Sequence, residues 1–159
     1  MAKSALQAEI KKKHPFEQIE EEAYLNLLRT SSMLLADFER LFKQHGLSEP
    51  QYNVLRILRG ADGDGLPSLE IASRMIARVP DITRLIDRLE AAGMVARRRC
   101  TKDRRVVYVA ITPAALDILA RLDEPVLRLH REQFAHMPPA EISRLSRLLE
   151  KARRAPQAE

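Results

Sequence analysis

The sequence has one cysteine, no tryptophan and few aromatic residues, which make up 4% of its 159 residues. A single cysteine excludes an intrachain disulfide, which is typical of proteins from a reducing compartment. No run of about 18 apolar residues is present, and the N-terminal stretch MAKSALQAEIKKKHPF lacks the apolar centre of a signal peptide. We therefore expect a cytoplasmic protein that has no membrane partner.

The motifs of common enzymes are also missing. The chain contains no Gly-x-Ser-x-Gly, no glycine-rich phosphate loop, no His-Glu-x-x-His and no cysteine-histidine pair at motif spacing. Its histidines are scattered, and the gap between His130 and His136 places the two on different faces of a helix. We predict no enzyme activity, no metal site and no cofactor.

Positive charge is concentrated in one third of the chain. Ten of the 27 Lys and Arg residues and five of the 22 acidic residues lie between Leu66 and Thr112, which leaves 17 of each elsewhere. A basic patch on an otherwise neutral body is typical of proteins that bind a polyanion. The alternative is that these arginines only keep the surface soluble.

The stretch from Val79 to Thr112 predicts a helix followed by a hairpin. Apolar residues recur at i, i+3, i+4 and i+7 from Ile82, which predicts a helix over Pro80 to Ala92 with one buried face. The segments Val95 to Arg99 and Arg105 to Ile111 then flank a polar turn, and the second alternates as a half-buried strand does. A helix followed by a basic hairpin indicates a winged helix.

A long helical pattern precedes this stretch. It runs from Phe16 or Glu17 to His45 without proline or glycine, and it ends before Gly46. A helix of about 28 residues would be about 42 Å long. Because one small globule cannot cover that length, we expect part of this helix to pack on a second subunit.

Two shorter helices complete a helix-turn-helix. Ser48 stands three residues before Gln51, which is the spacing of a capping box, and apolar positions continue to Gly60. After the loop GADGDG, Pro67 and Ser68 open a third, short helix. About three residues separate this helix from the next, a length that suits a helix-turn-helix.

The C-terminal part predicts two more helices. Thr112 and Pro113 form a cap and a first turn, and Pro125 inside the following pattern is expected to kink or break that helix. The last helix starts at Pro138 and Pro139 and ends in a polar tail.

The order of these segments resembles the MarR (multiple antibiotic resistance regulator) family of bacterial transcription factors. The resemblance extends from about Phe16 to Leu149 and implies a mainly α fold with a small β wing, in which a winged helix-turn-helix joins a helical dimerisation region. It also implies a homodimer whose first and last two helices intertwine. The residues that match the family's motifs are Gly46, Leu47, Ser48 and Gln51, then Thr83 to Glu90 with Gly93, and then Asp103, Arg105, Val109, Ile111 and Thr112.

This resemblance predicts the division of the chain. The expected parts are a flexible N-terminal arm (1–15), the helical dimerisation region (16–46 and 113–152), the winged helix-turn-helix DNA-binding domain (47–112) and a polar tail (153–159).

The resemblance further implies that the helix over Pro80 to Ala92 enters the major groove of double-stranded DNA. We expect Arg84 to contact guanine and Thr83 to contact a thymine methyl group or a phosphate. Asp81 has two interpretations, a contact to cytosine or stabilisation of the helix N-terminus. The predicted major-groove set is Val79, Pro80, Asp81, Thr83, Arg84 and Arg88, of which Arg88 is expected on phosphate.

The wing is expected in the adjacent minor groove. By the resemblance, Arg105 enters that groove, and Asp103 pairs with a wing arginine, although it is alternatively a turn-forming Asp. Alternation turns some of Arg97, Arg98 and Arg99 away from DNA, so we expect phosphate contacts from only part of that run. Two subunits would read a pseudo-palindromic operator. The predicted wing set is Arg97, Arg99, Lys102, Asp103, Arg104 and Arg105.

The resemblance also implies a repressor that a small anionic, aromatic or phenolic effector releases from DNA. The ligand pocket would lie between the first helix, the second helix and the helix after Thr112. We predict Tyr24, Arg29 and Tyr52 as its polar or aromatic residues, and the alternative is that each is an ordinary surface or core residue. The resemblance also argues against urate as the ligand, because the family's urate-sensing branch is typified by a tryptophan on the first helix and this chain has none.

Two alternatives remain open from the sequence. Cys100 is either a small wing residue or a thiol switch, since Arg99 and Lys102 would lower its pKa. The predicted function is a sequence-specific transcriptional regulator. The alternative is an architectural DNA-binding protein without a ligand response.

Overall fold

The structure is a computed structural model that describes residues 4–61, 65–99 and 106–154. Helices dominate these residues, and a small three-stranded antiparallel sheet accompanies them, which confirms the predicted fold class. In chain order the elements are α1 (Ala5–Glu9), α2 (Ile19–Lys43), α3 (Glu49–Arg59), β1 (Leu66–Pro67), α4 (Ser68–Arg74), α5 (Ile82–Ala91), β2 (Val95–Arg99), β3 (Val107–Ile111), α6 (Pro113–Gln133) and α7 (Pro139–Arg153).

The sheet forms the base of the wing. Strands β2 and β3 pair from Val95 opposite Ile111 to Arg99 opposite Val107, which confirms the predicted hairpin. Strand β1 adds Leu66 and Pro67 to the other edge of β3. Strand β1 was not predicted, because two residues are too few to produce a detectable alternation. The predicted turn, residues 100–105, lies outside the described residues.

Helix α5 is shorter than the predicted range of Pro80 to Ala92. Asp81 has an extended backbone, and its carboxylate accepts a hydrogen bond from the backbone N–H of Arg84 at 2.9 Å. This cap fixes the helix start at Ile82, so Pro80 lies outside the helix and the prediction was wrong there. The predicted end was nearly right, because Gly93 follows the helix with a φ of +69°.

Three other features of the helices and their connections differ from the predictions. Helix α2 starts at Ile19 and ends at Lys43, inside the predicted limits. Helix α6 continues through Pro125, so the chain does not break there. The neighbouring Leu122 and Val126 are buried, and their packing offsets the hydrogen bond that proline removes. Residues 75–81 separate α4 from α5, a longer turn than predicted.

The N-terminal arm contains a short helix that the sequence analysis did not predict. Ser4 caps α1 by accepting a hydrogen bond from the backbone N–H of Gln7, and Leu6 is buried. Glu9 then pairs with Arg29 of α2 at 2.6 Å. Five helical residues give too short a pattern for periodicity to reveal, which explains the miss.

One core joins the winged helix to α6. The buried stripe of α5 (Leu85, Ile86 and Leu89) packs in the same cluster as Leu119 and Leu122 of α6. In contrast, α7 buries none of its residues and α2 buries only Phe42. The two long outer helices therefore leave large apolar side chains exposed, including Ile19, Leu27, Leu28 and Leu148.

Gly65 carries a stability prediction. Its φ is +102°, and an added Cβ would clash with the backbone carbonyl of Val109 in β3. We expect Gly65→Ala to lower the free energy of unfolding by at least about 2 kcal/mol, because the strained backbone and the clash both oppose the β1–β3 pairing.

Thermal and chemical denaturation measure this effect. The matched control is Gly60→Ala, because Gly60 has an ordinary helical φ and its added Cβ would meet its neighbours at van der Waals distance. Equal stability of the two variants would contradict the prediction.

Candidate nucleic-acid interface and adjoining cleft

The outer face of α5 is polar and accessible. The buried stripe turns Thr83, Arg84 and Arg88 towards solvent, and the side chain of Arg84 is 79% exposed. A shallow groove of about 290 Å³ lies between this face and the start of α3. Five of the six predicted major-groove residues line it, and only Thr83 does not. The residues that line the groove are Ser48, Pro50, Val79, Pro80, Asp81, Arg84, Leu85 and Arg88.

Asp81 has the structural role that the sequence left as one of two interpretations. Its Oδ1 accepts the hydrogen bond from the Arg84 backbone, and its Oδ2 lies 4.0 Å from Nε of Arg84. Asp81 therefore stabilises the helix N-terminus, which confirms that interpretation. The contact to cytosine stays a prediction.

The arginines of β2 do not share one environment. Arg97 is turned towards α5, where Nη2 lies 2.5 Å from Oδ1 of Asp87 and Nη1 pairs with Glu90. Arg99 is exposed. The alternation had predicted that only part of this run faces DNA, and the structure shows that Arg97 faces the helix. The remaining wing residues of the predicted set, Lys102, Asp103, Arg104 and Arg105, lie outside the described residues, as does Cys100.

A second concave feature adjoins the winged helix. It is an open cleft of about 860 Å³ whose walls come from α2, α3 and α6, which are the three helices predicted to surround the ligand pocket. Tyr52 lies in its wall. Tyr24 does not line it and is mostly exposed, and Arg29 is paired with Glu9 instead. The residues that line the cleft are Leu35, Phe38, Phe42, Glu49, Tyr52, Asn53, Arg56, Arg59, Ile76, Asp123, Val126, Leu127 and His130.

The polar end of the cleft is an arginine-carboxylate cluster. Arg59 donates from both terminal nitrogens to Asp123, at 2.9 and 2.7 Å. This pairing lowers the pKa of the Asp123 carboxyl below its ordinary value, so Asp123 is ionised at neutral pH. Arg56 lies further away, 3.7 Å from the same carboxylate, and about half of its side chain is exposed. Arg56 is therefore the more available of the two cations.

Aromatic rings form the wall next to this cluster. Tyr52 stacks on Phe42 with ring centroids 4.1 Å apart, and the Arg56 guanidinium lies 6.0 Å from the Tyr52 ring. Burial raises the pKa of the Tyr52 phenol, so the phenol is neutral at pH 7. The cleft thus combines stacked rings with one accessible cation, an arrangement that is suited to a flat, weakly acidic molecule.

The cluster was not predicted from the sequence, for two different reasons. Tyr52 and Arg56 are four residues apart on one helix and share a face, so a closer reading of the second helix would have found Arg56. Arg59 and Asp123 are 64 positions apart, and no local pattern connects them.

One hydrogen bond connects the cleft to the turn of the helix-turn-helix. The side-chain oxygen of Asn53 accepts from the backbone N–H of Ile76 at 2.9 Å. Both residues line the cleft, and Ile76 belongs to the 75–81 turn that leads to α5. The side chain of Ile76 packs little, since the residue is 85% exposed.

The described residues contain neither a metal-binding cluster nor a membrane-spanning helix. In residues 4–61, 65–99 and 106–154, no group of three or more His, Cys, Asp or Glu side chains is arranged to hold a metal ion. Over the same ranges, no helix combines the length and the apolar character that crossing a membrane requires.

A helix-turn-helix, a hairpin wing and a basic outer helix face together define a winged-helix DNA-binding protein. The MarR family model matches residues 47–107. The transcriptional repressor IacR of Pseudomonas putida is 32% identical over 124 residues, which cover 78% of this chain and 73% of IacR. The chain belongs to the MarR family and is a transcriptional repressor of that family.

Solved structures agree with this assignment. The crystal structure of a MarR transcription factor from Planctomyces limnophilus is 46% identical, with a TM-score of 0.65 over 85% of this chain and 98% of that one. The organohalide-sensing transcriptional regulator RdhR, in its 2,4-dichlorophenol-bound form, has the same fold at 20% identity, with a TM-score of 0.79 over 89% of this chain and 86% of that one.

Proposed function

We propose that a homodimer of this protein binds a pseudo-palindromic operator in double-stranded DNA and that a small anionic or phenolic ligand releases it. The single observation that carries the DNA-binding part is the exposed outer face of α5, which presents Arg84 and Arg88 beside an accessible groove. Two such helices related by a two-fold axis would read half-sites about one helical turn apart.

The site residues divide by the part of DNA that they would contact. Arg84 is proposed to pair with a guanine edge and Thr83 to contact thymine or phosphate, whereas Arg88 would hold phosphate. Arg99 is proposed on phosphate beside the wing, and Arg105 is proposed in the minor groove because the resemblance places it there. The other proposed contacts come from Val79, Pro80, Asp81, Lys102 and Arg104, and Asp103 is proposed to pair with a wing arginine.

Fluorescence anisotropy tests this function. The purified protein is titrated against the duplex upstream of its own gene and against a random duplex, at several salt concentrations. We expect the first duplex to bind at least about 10³-fold more tightly. Equal, salt-sensitive binding to both would instead support the architectural alternative, and no binding to either would contradict both DNA-binding functions.

The ligand part of the proposal is supported by the cleft between α2, α3 and α6. Its volume of about 860 Å³ is in the range of small-molecule sites, and its stacked rings meet an accessible arginine. The related fold of RdhR holds 2,4-dichlorophenol. We propose an aromatic acid or a phenol as the effector of this chain.

Replacing Arg56 should distinguish a carboxylate effector from a phenol effector. In Arg56→Gln, we expect the benzoate concentration that half-releases the operator to rise at least about tenfold, because a carboxylate loses its charged partner. Release by 2,4-dichlorophenol, measured at a pH below the pKa of that phenol, should change less than about twofold, since the neutral phenol does not depend on that charge.

The same anisotropy assay measures both concentrations. Arg40→Gln is the matched control, because Arg40 is another helical arginine that pairs with an aspartate but lies outside the wall of this cleft. An equal loss of response to both compounds in Arg56→Gln would contradict a carboxylate-specific role.

A further inference from the structure

Arg97 makes three contacts with the same face of α5. Its Nη2 lies 2.5 Å from Oδ1 of Asp87, its Nη1 pairs with Oε2 of Glu90, and its backbone N–H donates to Oε1 of Glu90 at 3.2 Å. Its side chain is only 26% exposed. A single residue of β2 thus holds both acidic side chains of the helix.

These two acidic residues are badly placed for a DNA-binding helix. Asp87 and Glu90 are the acidic residues of α5, and Asp87 neighbours Arg88, which faces solvent. Unpaired carboxylates on this helix would repel phosphates, since nearby like charges interact unfavourably. The hydrogen bonds and charges of the two carboxylates also raise the pKa of the Arg97 guanidinium above its ordinary value.

The geometry also fixes how β2 meets the helix. Val95, at the start of β2, is buried in the core, and Thr112 at the end of β3 donates from Oγ1 to the carbonyl of Gly93 at 2.8 Å. These contacts hold one end of the hairpin. The ion pairs of Arg97 attach β2 to α5 two residues further along the strand, where β2 leaves the core.

We propose that Arg97 is a positioning residue for operator binding. It neutralises Asp87 and Glu90. It also holds β2 against the C-terminal half of α5, so that α5 and β2 approach DNA as one rigid unit. It does not contact DNA itself. This inference rests on the proposed function, because it assigns Arg97 a role in the same DNA-binding surface.

A double-mutant cycle on operator affinity tests the proposal. The variants are Arg97→Met, the pair Asp87→Asn with Glu90→Gln, and the triple variant. We expect Arg97→Met to weaken binding about tenfold in the wild-type background, because two carboxylates lose their partner. In the Asn/Gln background the same substitution should change affinity less than about twofold, since the charges that it neutralises are gone.

Two results would overturn the proposal. A direct phosphate contact would make Arg97→Met equally costly in both backgrounds. An effect below twofold in the wild-type background would show that the pairing is irrelevant to binding. Arg97→Lys retains the charge with fewer donors, so it should bind with intermediate affinity.

Controls distinguish a variant that fails to fold, and a failure of the proposed function, from a failure of this inference. Circular dichroism and thermal melting establish that each variant is folded at the assay temperature, where a loss of stability alone leaves affinity unchanged. The cycle is repeated on a random duplex at low salt. If the wild type shows no operator preference, the specific function fails, yet the random-duplex cycle still distinguishes coupling from direct contact. A wild type that binds neither duplex overturns both proposals.

Discussion

Replacing Arg84 with alanine is expected to weaken operator binding by about 5- to 150-fold, which corresponds to the loss of about 1–3 kcal/mol from a bidentate base contact. The side chain is exposed on the outer face of α5, and its ion pair with Asp81 is long, at 4.0 Å, so the guanidinium can leave Asp81 to reach the groove. The loss should be sequence-specific. Selection from a randomised duplex should show relaxed choice at one base pair in each half-site.

Two other substitutions serve as comparisons for Arg84→Ala. Arg88→Ala should weaken binding to operator and random duplex by the same factor, because a phosphate contact carries no sequence information. Arg40→Ala on α2 should leave both affinities unchanged, since Arg40 pairs with Asp37 and does not line the groove beside α5. An unaltered base preference in Arg84→Ala would contradict its proposed role.

The second large effect is expected at the outer helices. Leu28→Asp combined with Leu148→Asp should convert the protein to a monomer and reduce operator affinity by at least about 100-fold, because only a dimer engages two half-sites at once. Both leucines are about half exposed in the single chain, and α7 buries none of its residues there. Burying such surfaces between two subunits would remove a large apolar area from water.

Light scattering coupled to size exclusion measures this change. Leu69→Asp is the matched control, since Leu69 is an exposed leucine on α4, which belongs to the helix-turn-helix, and its replacement should leave the dimer intact. A wild type that is monomeric at micromolar concentration would contradict the proposed assembly, as would a double variant that remains dimeric.

Local patterns made α3 and α5 predictable from the sequence. The Ser48 and Gln51 capping box forms as expected, and the stripe that begins at Ile82 packs in the core. These features depend on residues within one or two helical turns of each other, where spacing is a direct geometric signal. The start of α5 was misplaced because Pro80 and Asp81 both suit a helix N-terminus, and only the backbone conformation decides between them.

Contacts across the fold were not predictable in the same way. Arg97 was predicted to contact phosphate from its charge and from the alternation along β2. Neither feature indicates which neighbouring element a strand residue packs against, and the partners of Arg97 are on the preceding helix, α5. Likewise, Tyr24 and Arg29 were chosen for their chemistry on the first long helix. The cleft is formed further along that helix, by Leu35, Phe38 and Phe42. Arg29 instead forms an ion pair with Glu9 of α1.

The hydrogen bond from Ile76 to Asn53 has a consequence for the effector threshold in the cell. The bond connects the wall of the cleft to the turn that leads to α5. The proposed effector and the operator would therefore favour different conformations of the same turn. Thermodynamic reciprocity then requires DNA to weaken effector binding by the same factor by which the effector weakens DNA binding. Repressor molecules on the operator would therefore respond at a higher effector concentration than those in the unbound pool. The unbound molecules would act as a buffer, so the number of repressor copies would help to set the dose at which transcription begins.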